Sequence, residues 1–195
     1  CNPNNPTGTV HSPDAVESFI RRVQRESPNT KMLIDEAYIN YAADDAMQTA
    51  LPLAMEFENV FITRSFSKAH GMAGLRVGYA LGQKATLDAV SSSWGMGDIN
   101  MLSAIAGITA FKDKEHIEWE RQENTEIRAF VVAAFNDMGY EAASSHTNHI
   151  FVNLGRPAKE FREACLEHKI LVGRDFPPFE QTHCRISMGS REEMQ

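Results

Sequence analysis

Eleven residues, Arg64 to Gly74, separate two strand-like runs, and that count constrains the fold more than any other feature of the chain. Val60-Phe61-Ile62 is a short apolar run, and Leu75, Val77, Tyr79 and Leu81 alternate as a strand does. A right-handed crossover between parallel strands usually takes a dozen residues or more, including its helix. The short connection therefore predicts that Leu75–Leu81 runs antiparallel to its predecessor. Further upstream, Ser12-Pro13-Asp14 opens a helix with a cap, a proline and an acid. Ala15, Val16, Phe19, Ile20 and Val23 follow at helical spacing, Ser27-Pro28-Asn29 stops the helix, and Lys31-Met32-Leu33-Ile34 reads as a strand. Strand, helix and strand in this order predict an α/β fold with a mostly parallel sheet and one antiparallel strand.

The connection itself carries polar chemistry. Ser65, Ser67, Lys68 and Arg76 lie in or beside a loop that also holds Gly71 and Gly74. Hydroxyls and a guanidinium cradle a phosphate, because arginine donates two parallel hydrogen bonds. A lysine beside that cradle can form an imine with an aldehyde on the same molecule, and pyridoxal 5′-phosphate (PLP) has both groups. A solvated loop with surface charges is the competing reading of this stretch alone. Asp35 stands at the carboxyl end of its strand, where ligands of open α/β sheets bind, although an aspartate there also serves as a turn cap. Asn2-Pro3-Asn4-Asn5-Pro6-Thr7-Gly8 is turn chemistry dense enough to fix the Asn5 amide in place.

Ala46–Glu56 is helical, and Ser91–Asn100, with Trp94, reads as a mobile loop. Met101–Phe111 is an apolar helix. Asp113 to about Met138 is a long helix, with Ile127, Val131, Phe135 and Met138 on one stripe of its second half. A smaller unit follows, with a strand at Ile150–Leu154, a helix at Pro157–His168 with Phe161 and Cys165 inward, and a strand at Ile170–Val172. In Cys184–Met188, Cys184, Ile186 and Met188 share one face and Arg185 points the other way. His146 and His149 precede a strand without a third ligand, so a structural or surface role outweighs a metal site.

The net charge of −7 and the absence of a basic tract argue against nucleic acid as a partner. No apolar run approaches the roughly 20 residues that span a membrane. Cys1, Cys165 and Cys184 are odd in number and far apart, which reads as free thiols in a reducing cytoplasm. The chain opens without Met, and the capping box Ser190-Arg191-Glu192-Glu193 promises a helix just before Gln195. Both ends read as cuts in a longer polypeptide.

Asn5-Pro6-Thr7-Gly8, Asp35-Glu36-Ala37-Tyr38, Ser65-Phe66-Ser67-Lys68, Leu75-Arg76-Val77-Gly78 and Arg185-Ile186-Ser187-Met188-Gly189-Ser190 occur in that order. Together they resemble the PLP-dependent aminotransferases of fold type I, classes I and II, and most closely the histidinol-phosphate aminotransferase group. The resemblance covers the whole chain but only about the C-terminal half of the family's length. It implies that residues 1–112 are the second half of the large PLP-binding domain and 113–195 a truncated small C-terminal domain. It implies that Lys68 holds PLP and moves the proton at the substrate α-carbon. Asp35 would pair with the pyridine nitrogen, Tyr38 and Asn5 would bind O3′, and Ser65, Ser67 and Arg76 would bind the phosphate. Arg185 would clamp a substrate carboxylate.

Arg174 lies where histidinol-phosphate enzymes present a second substrate arginine, but Phe176, Phe179 and the prolines around it make the wall more apolar. The implied activity moves an amino group between an amino acid, histidinol-phosphate-like or aromatic, and a 2-oxo acid. The implied assembly is a cytoplasmic homodimer. The family's glycine/serine phosphate loop, ring-stacking aromatic residue and N-terminal arm would precede Cys1. A lyase, decarboxylase or racemase on the same scaffold, or a non-catalytic regulator domain, are the alternatives.

Overall fold

The computed structural model describes residues 1–43, 45–94 and 98–195, with the Trp94 side chain excepted. Its first layer is a three-stranded sheet, β1 (Met32–Asp35), β2 (Val60–Ser65) and β3 (Gly78–Gly82), in that spatial order. β1 and β2 are parallel, with Met32 opposite Val60 and Asp35 opposite Thr63. β2 and β3 are antiparallel, as the short connection predicts, with Phe61 opposite Gly82 and Ser65 opposite Gly78. β3 begins later than the alternation suggests, because Ala73–Leu75 form a 3-10 turn and Arg76 adopts a left-handed conformation, φ 51°.

One face of this sheet carries Met32, Ile34, Val60 and Ile62. It is covered by helix α1 (Pro13–Glu26) and helix α2 (Leu51–Glu56), which bury Ile20 and Ala54 completely. The Ser12 side chain accepts from the Ala15 amide at the head of α1, and Pro13 follows it. Val16, Ile20 and Val23 form the packed stripe, while Phe19, expected inward, is half exposed. α2 is shorter than the expected helical stretch from Ala46. Proline at position 52 lies in its first turn, and the preceding backbone is held by Glu36, which accepts from the Ala50 amide at 2.7 Å.

Three helices follow: α3 (Lys84–Trp94), α4 (Met101–Lys112) and α5 (Lys114–Asp137). Ser91–Trp94 belong to the last turn of α3 and not to a loop. Residues 95–97 of that expected loop, and the Trp94 side chain, lie outside the described residues. On α5, Ile117 packs with Tyr38, Tyr41 and Ala69, and further along Ile127 and Val131 pack into a second core. Met138, placed on the same stripe from the sequence, is exposed.

That second core lies under an antiparallel sheet of β4 (Glu141–Ala142), β5 (His149–Asn153) and β6 (His183–Ser187), with helix α6 (Ala158–Glu167) beside it. Ile150, Val152, Cys184 and Ile186 face the core. The expected strand at Ile170–Val172 is not formed. Lys169 turns the chain in a left-handed conformation, φ 64°, and Leu171 is 89% exposed, so no neighbouring edge pairs this run. The capping box at Ser190 closes, with the Ser190 amide donating to Glu193 Oε2 at 2.8 Å, but residues 191–194 make turns and not a helix. The three cysteines are unpaired, and burial pushes the Cys184 thiol up to about 11. Among the described residues no helix is long and apolar enough to cross a membrane.

Candidate active site

The carboxyl ends of the parallel strands β1 and β2 point the same way, and the residues just beyond them supply most of the candidate side chains. Asp35 ends β1. Its Oδ1 accepts from the Ala37 amide at 3.1 Å and from the Thr63 hydroxyl at 3.4 Å, so turn and neighbouring strand together orient the carboxylate. Three residues on, Tyr38 is buried. Lys68, beyond the end of β2, returns over it, with Nζ 5.2 Å from the Tyr38 ring centre.

The antiparallel turn brings Arg76 to the same end. Ser65 pairs with Gly78, and the Phe66 amide donates to the Val77 carbonyl at 3.2 Å, so Arg76 precedes β3 at the end of the sheet where Ser65 closes β2. Ser65 Oγ accepts from the Ser67 amide at 3.0 Å. Arg76 is exposed, and its Nη1 donates to the Ala73 carbonyl at 2.8 Å. Gly78 has to be glycine here, since a Cβ would stand 2.8 Å from the Arg64 carbonyl oxygen.

Asn5 and Arg185 come from opposite ends of the chain. The 2–9 turn is pinned by the Asn2 amide on the Asp35 carbonyl, 2.9 Å, and by His146, whose amide donates to the Gly8 carbonyl at 2.8 Å. Asn2-Pro3 and Asn5-Pro6 are cis peptides. Arg185 stands on β6 opposite Phe151, on the face away from the Ile150/Val152 layer. Its Nη1 donates to Asn5 Oδ1 at 2.8 Å, and its guanidinium carbon lies 4.7 Å from the Phe176 ring centre. Arg174 is exposed and meets the same ring at 4.8 Å, so Phe176 touches two guanidinium groups. Asp175, between them, pairs with Arg162 of α6 and anchors the segment.

Two neighbours matter more than their residue types suggest. Phe176, expected only as an apolar wall residue, is the surface on which both arginines rest. His149 is read as a structural or surface histidine, but it is 1% exposed and meets Tyr38 edge to face, ring centres 5.3 Å apart. Its signal was the alternation along β5, where His149 and Phe151 share the face opposite Ile150 and Val152. Burial, then Arg185 and Lys68, push its imidazole down to about 4. A hollow of about 620 Å³ elsewhere on the first sheet, lined by Leu33, Phe61, Ala80 and Val90, contains none of the candidate residues.

A parallel pair ending in a carboxylate, a lysine returning over a tyrosine and an arginine crossing to an early asparagine suit the architecture of type I PLP-dependent transferases. The chain belongs to the aminotransferase class I and II family, whose sequence model matches residues 1–195. It is 33% identical over 193 residues to a histidinol-phosphate aminotransferase of Limosilactobacillus fermentum, covering 99% of this chain and 52% of that one. It is 34% identical to an aromatic amino acid aminotransferase of Mycobacteroides abscessus, covering 99% and 53%. The solved structure of the Sinorhizobium meliloti histidinol-phosphate aminotransferase in complex with pyridoxal-5′-phosphate superposes with a TM-score of 0.87 at 26% identity, covering 99% of this chain and 52% of that one. The chain thus spans about half the length of the curated relatives it matches.

Proposed function

We propose that the intact protein moves an amino group between an amino acid, histidinol-phosphate-like or aromatic, and a 2-oxo acid, with PLP as cofactor. The observation that carries this reading is Lys68 Nζ held over the Tyr38 ring, beyond the strand that lies against Asp35. The residues fit the cofactor group by group: a carboxylate for the pyridine nitrogen, an amine for the aldehyde, and two hydroxyls with an arginine for the phosphate. When bound, PLP supplies an electron-withdrawing ring and an aldehyde that condenses with amines.

The chain's own residues do the rest. The Asp35 carboxylate, fixed by Ala37 and Thr63, holds a proton at the ring nitrogen. Asn5 has given its Oδ1 to Arg185, so its NH2 is the end available to donate to O3′, together with the Tyr38 phenol. Ser65, Ser67 and Arg76 bind the phosphate at the β2–β3 end. Arg185 takes the substrate carboxylate on the guanidinium edge that Asn5 and Phe176 leave free. A carboxylate held in this way is retained, which favours amino transfer over decarboxylation. Lys68 moves the proton at the substrate α-carbon. Arg174 and the Phe176/Phe179 wall border the substrate side chain. The amino acid and the 2-oxo acid are the small-molecule partners.

The same reading makes residues 1–112 part of a large domain and 113–195 part of a small one, in a cytoplasmic homodimer. The three unpaired thiols accord with a reducing compartment. The test is turnover by the intact protein with PLP. Amino transfer that requires a 2-oxo acid and is lost in Lys68→Ala is the expected result. Release of carbon dioxide, or inversion at the α-carbon without a 2-oxo acid, would overturn it in favour of a decarboxylase or a racemase.

A further inference from the structure

His149 has no task in that chemistry, yet it lies against it. The ring is 1% exposed and sits edge to face on Tyr38, at 82° between planes. Its Nε2 is buried and has no hydrogen-bond partner among the described residues. The Pro6 carbonyl favours a proton on the ring. With Nε2 unmet, that proton sits on Nδ1, so Nε2 carries a lone pair and is an acceptor. Burial and the nearby cations Arg185 and Lys68 keep the imidazole neutral, which preserves the lone pair.

Arg185 presents the complementary deficit. Its Nε, a donor, is also buried and without a hydrogen-bond partner among the described residues. Its Nη1 is engaged by Asn5 and its flat face by Phe176. A buried Nε is not the edge that a carboxylate from solvent meets. On the sheet, His149 opposes Ser187 and Phe151 opposes Arg185, so His149 and Arg185 are diagonal neighbours on one face. Long side chains reach across that diagonal. Here a buried acceptor and a buried donor, each costly to leave unmet, share one face and one electrostatic environment. A single water between them would satisfy both, and such a polar pocket is suited to one.

We infer that His149 is a positioning residue for Arg185: one water, donating to His149 Nε2 and accepting from the Arg185 Nε–H, joins the two and fixes the guanidinium plane that receives the substrate carboxylate. The inference rests on the proposed reading of Arg185 as the carboxylate clamp. Removing the acceptor loosens the clamp but leaves the reacting groups in place.

The test uses the intact protein loaded with PLP, and two carboxylates without an amino group, 3-phenylpropionate and glutarate. Their dissociation constants are read from the cofactor's visible absorbance and by calorimetry. His149→Phe keeps the ring edge on Tyr38 and removes the acceptor. It is expected to weaken carboxylate binding about tenfold and raise KM for the 2-oxo acid, with kcat changed less than about threefold. His149→Gln, which restores an acceptor at the same reach, is expected to recover binding to within about threefold. In an Arg185→Ala background, His149→Phe should have no further effect. Should His149→Phe fail to melt cooperatively, His149→Met is read in its place. Unchanged carboxylate binding would overturn the inference. So would an equal loss in the Arg185→Ala background, or a shifted cofactor spectrum with carboxylate affinity intact, which would assign His149 to Tyr38. If Arg185→Ala itself binds both carboxylates as the wild type does, the clamp reading fails first and takes this inference with it.

Discussion

Arg185 on β6 donates from Nη1 to the Asn5 side-chain oxygen at 2.8 Å, joining residues 180 positions apart. The bond orients the amide as well as the guanidinium, since an oxygen given to arginine leaves the NH2 facing elsewhere. The two halves of Asn5 therefore separate by mutation. Asn5→Asp keeps an acceptor for Arg185 and loses the donor, so the apoprotein should melt near the wild-type temperature while its affinity for PLP falls. Asn5→Ala should lose both, with a stability cost of about 1–2 kcal/mol. Thermal melts of the apoprotein beside PLP titrations check the pair. Equal PLP affinity in wild type and Asn5→Asp would contradict the assignment.

Gly8 is the residue that lets the 2–9 turn reach the β4–β5 connection. It has φ +75°, and a Cβ there would collide with the Ser145 side chain. Ser145 does not yield freely, because its hydroxyl donates to the His149 carbonyl. Gly8→Ala should cost about 2–4 kcal/mol, from left-handed strain and overpacking together. Adding Ser145→Gly should recover part of that, removing the clash but not the strain. Chemical denaturation of the three variants gives the comparison.

Glu36 follows Asp35 but points into the protein. Its carboxylate is fully buried and accepts from the Thr49 hydroxyl, the Ala50 amide and the Arg64 guanidinium. It ties the turn before α2 to β2 and so holds the strand ends that carry the site. Glu36→Ala should destabilise by about 3 kcal/mol, the lower end for a broken buried pair, since Arg64 remains partly exposed and can turn to solvent. Denaturant midpoints check it.

Much of this was legible in the residues. The eleven residues counted from the sequence predicted an antiparallel β3; the connection is in fact Phe66–Val77, twelve residues with a 3-10 turn and no crossover helix, and β3 is antiparallel. The alternation of Cys184, Ile186 and Met188 put Arg185 on the far face of β6, where it lies. What could not be read depended on residues outside each short segment. Ser91–Trp94 look like loop residues because serine favours caps and turns, yet they complete a helix begun at Lys84. Ile170–Val172 have strand composition but no edge to pair with. His149 became informative only when Tyr38 and Arg185, 111 and 36 residues away in sequence, were placed around it.

The histidines predict how stability follows pH. The folded protein holds His149 down to about 4, through burial and then the cations Arg185 and Lys68, and burial lowers His70 and His146 as well. In the unfolded chain histidine takes up its proton near 6.5. The stability from His149 is therefore complete above that value and is lost as pH falls toward 4, by about 3 kcal/mol. Melting temperatures of the apoprotein should fall between pH 7 and pH 5, and His149→Phe should flatten the slope. An unchanged slope in that variant would contradict the buried neutral imidazole.

The assignment of Lys68 is tested by loading the intact protein with PLP, reducing it with borohydride and locating the modified peptide by mass spectrometry. A single cofactor-bearing residue, Lys68, is expected, and none in Lys68→Ala. Label on another lysine, or no covalent label at all, would contradict it.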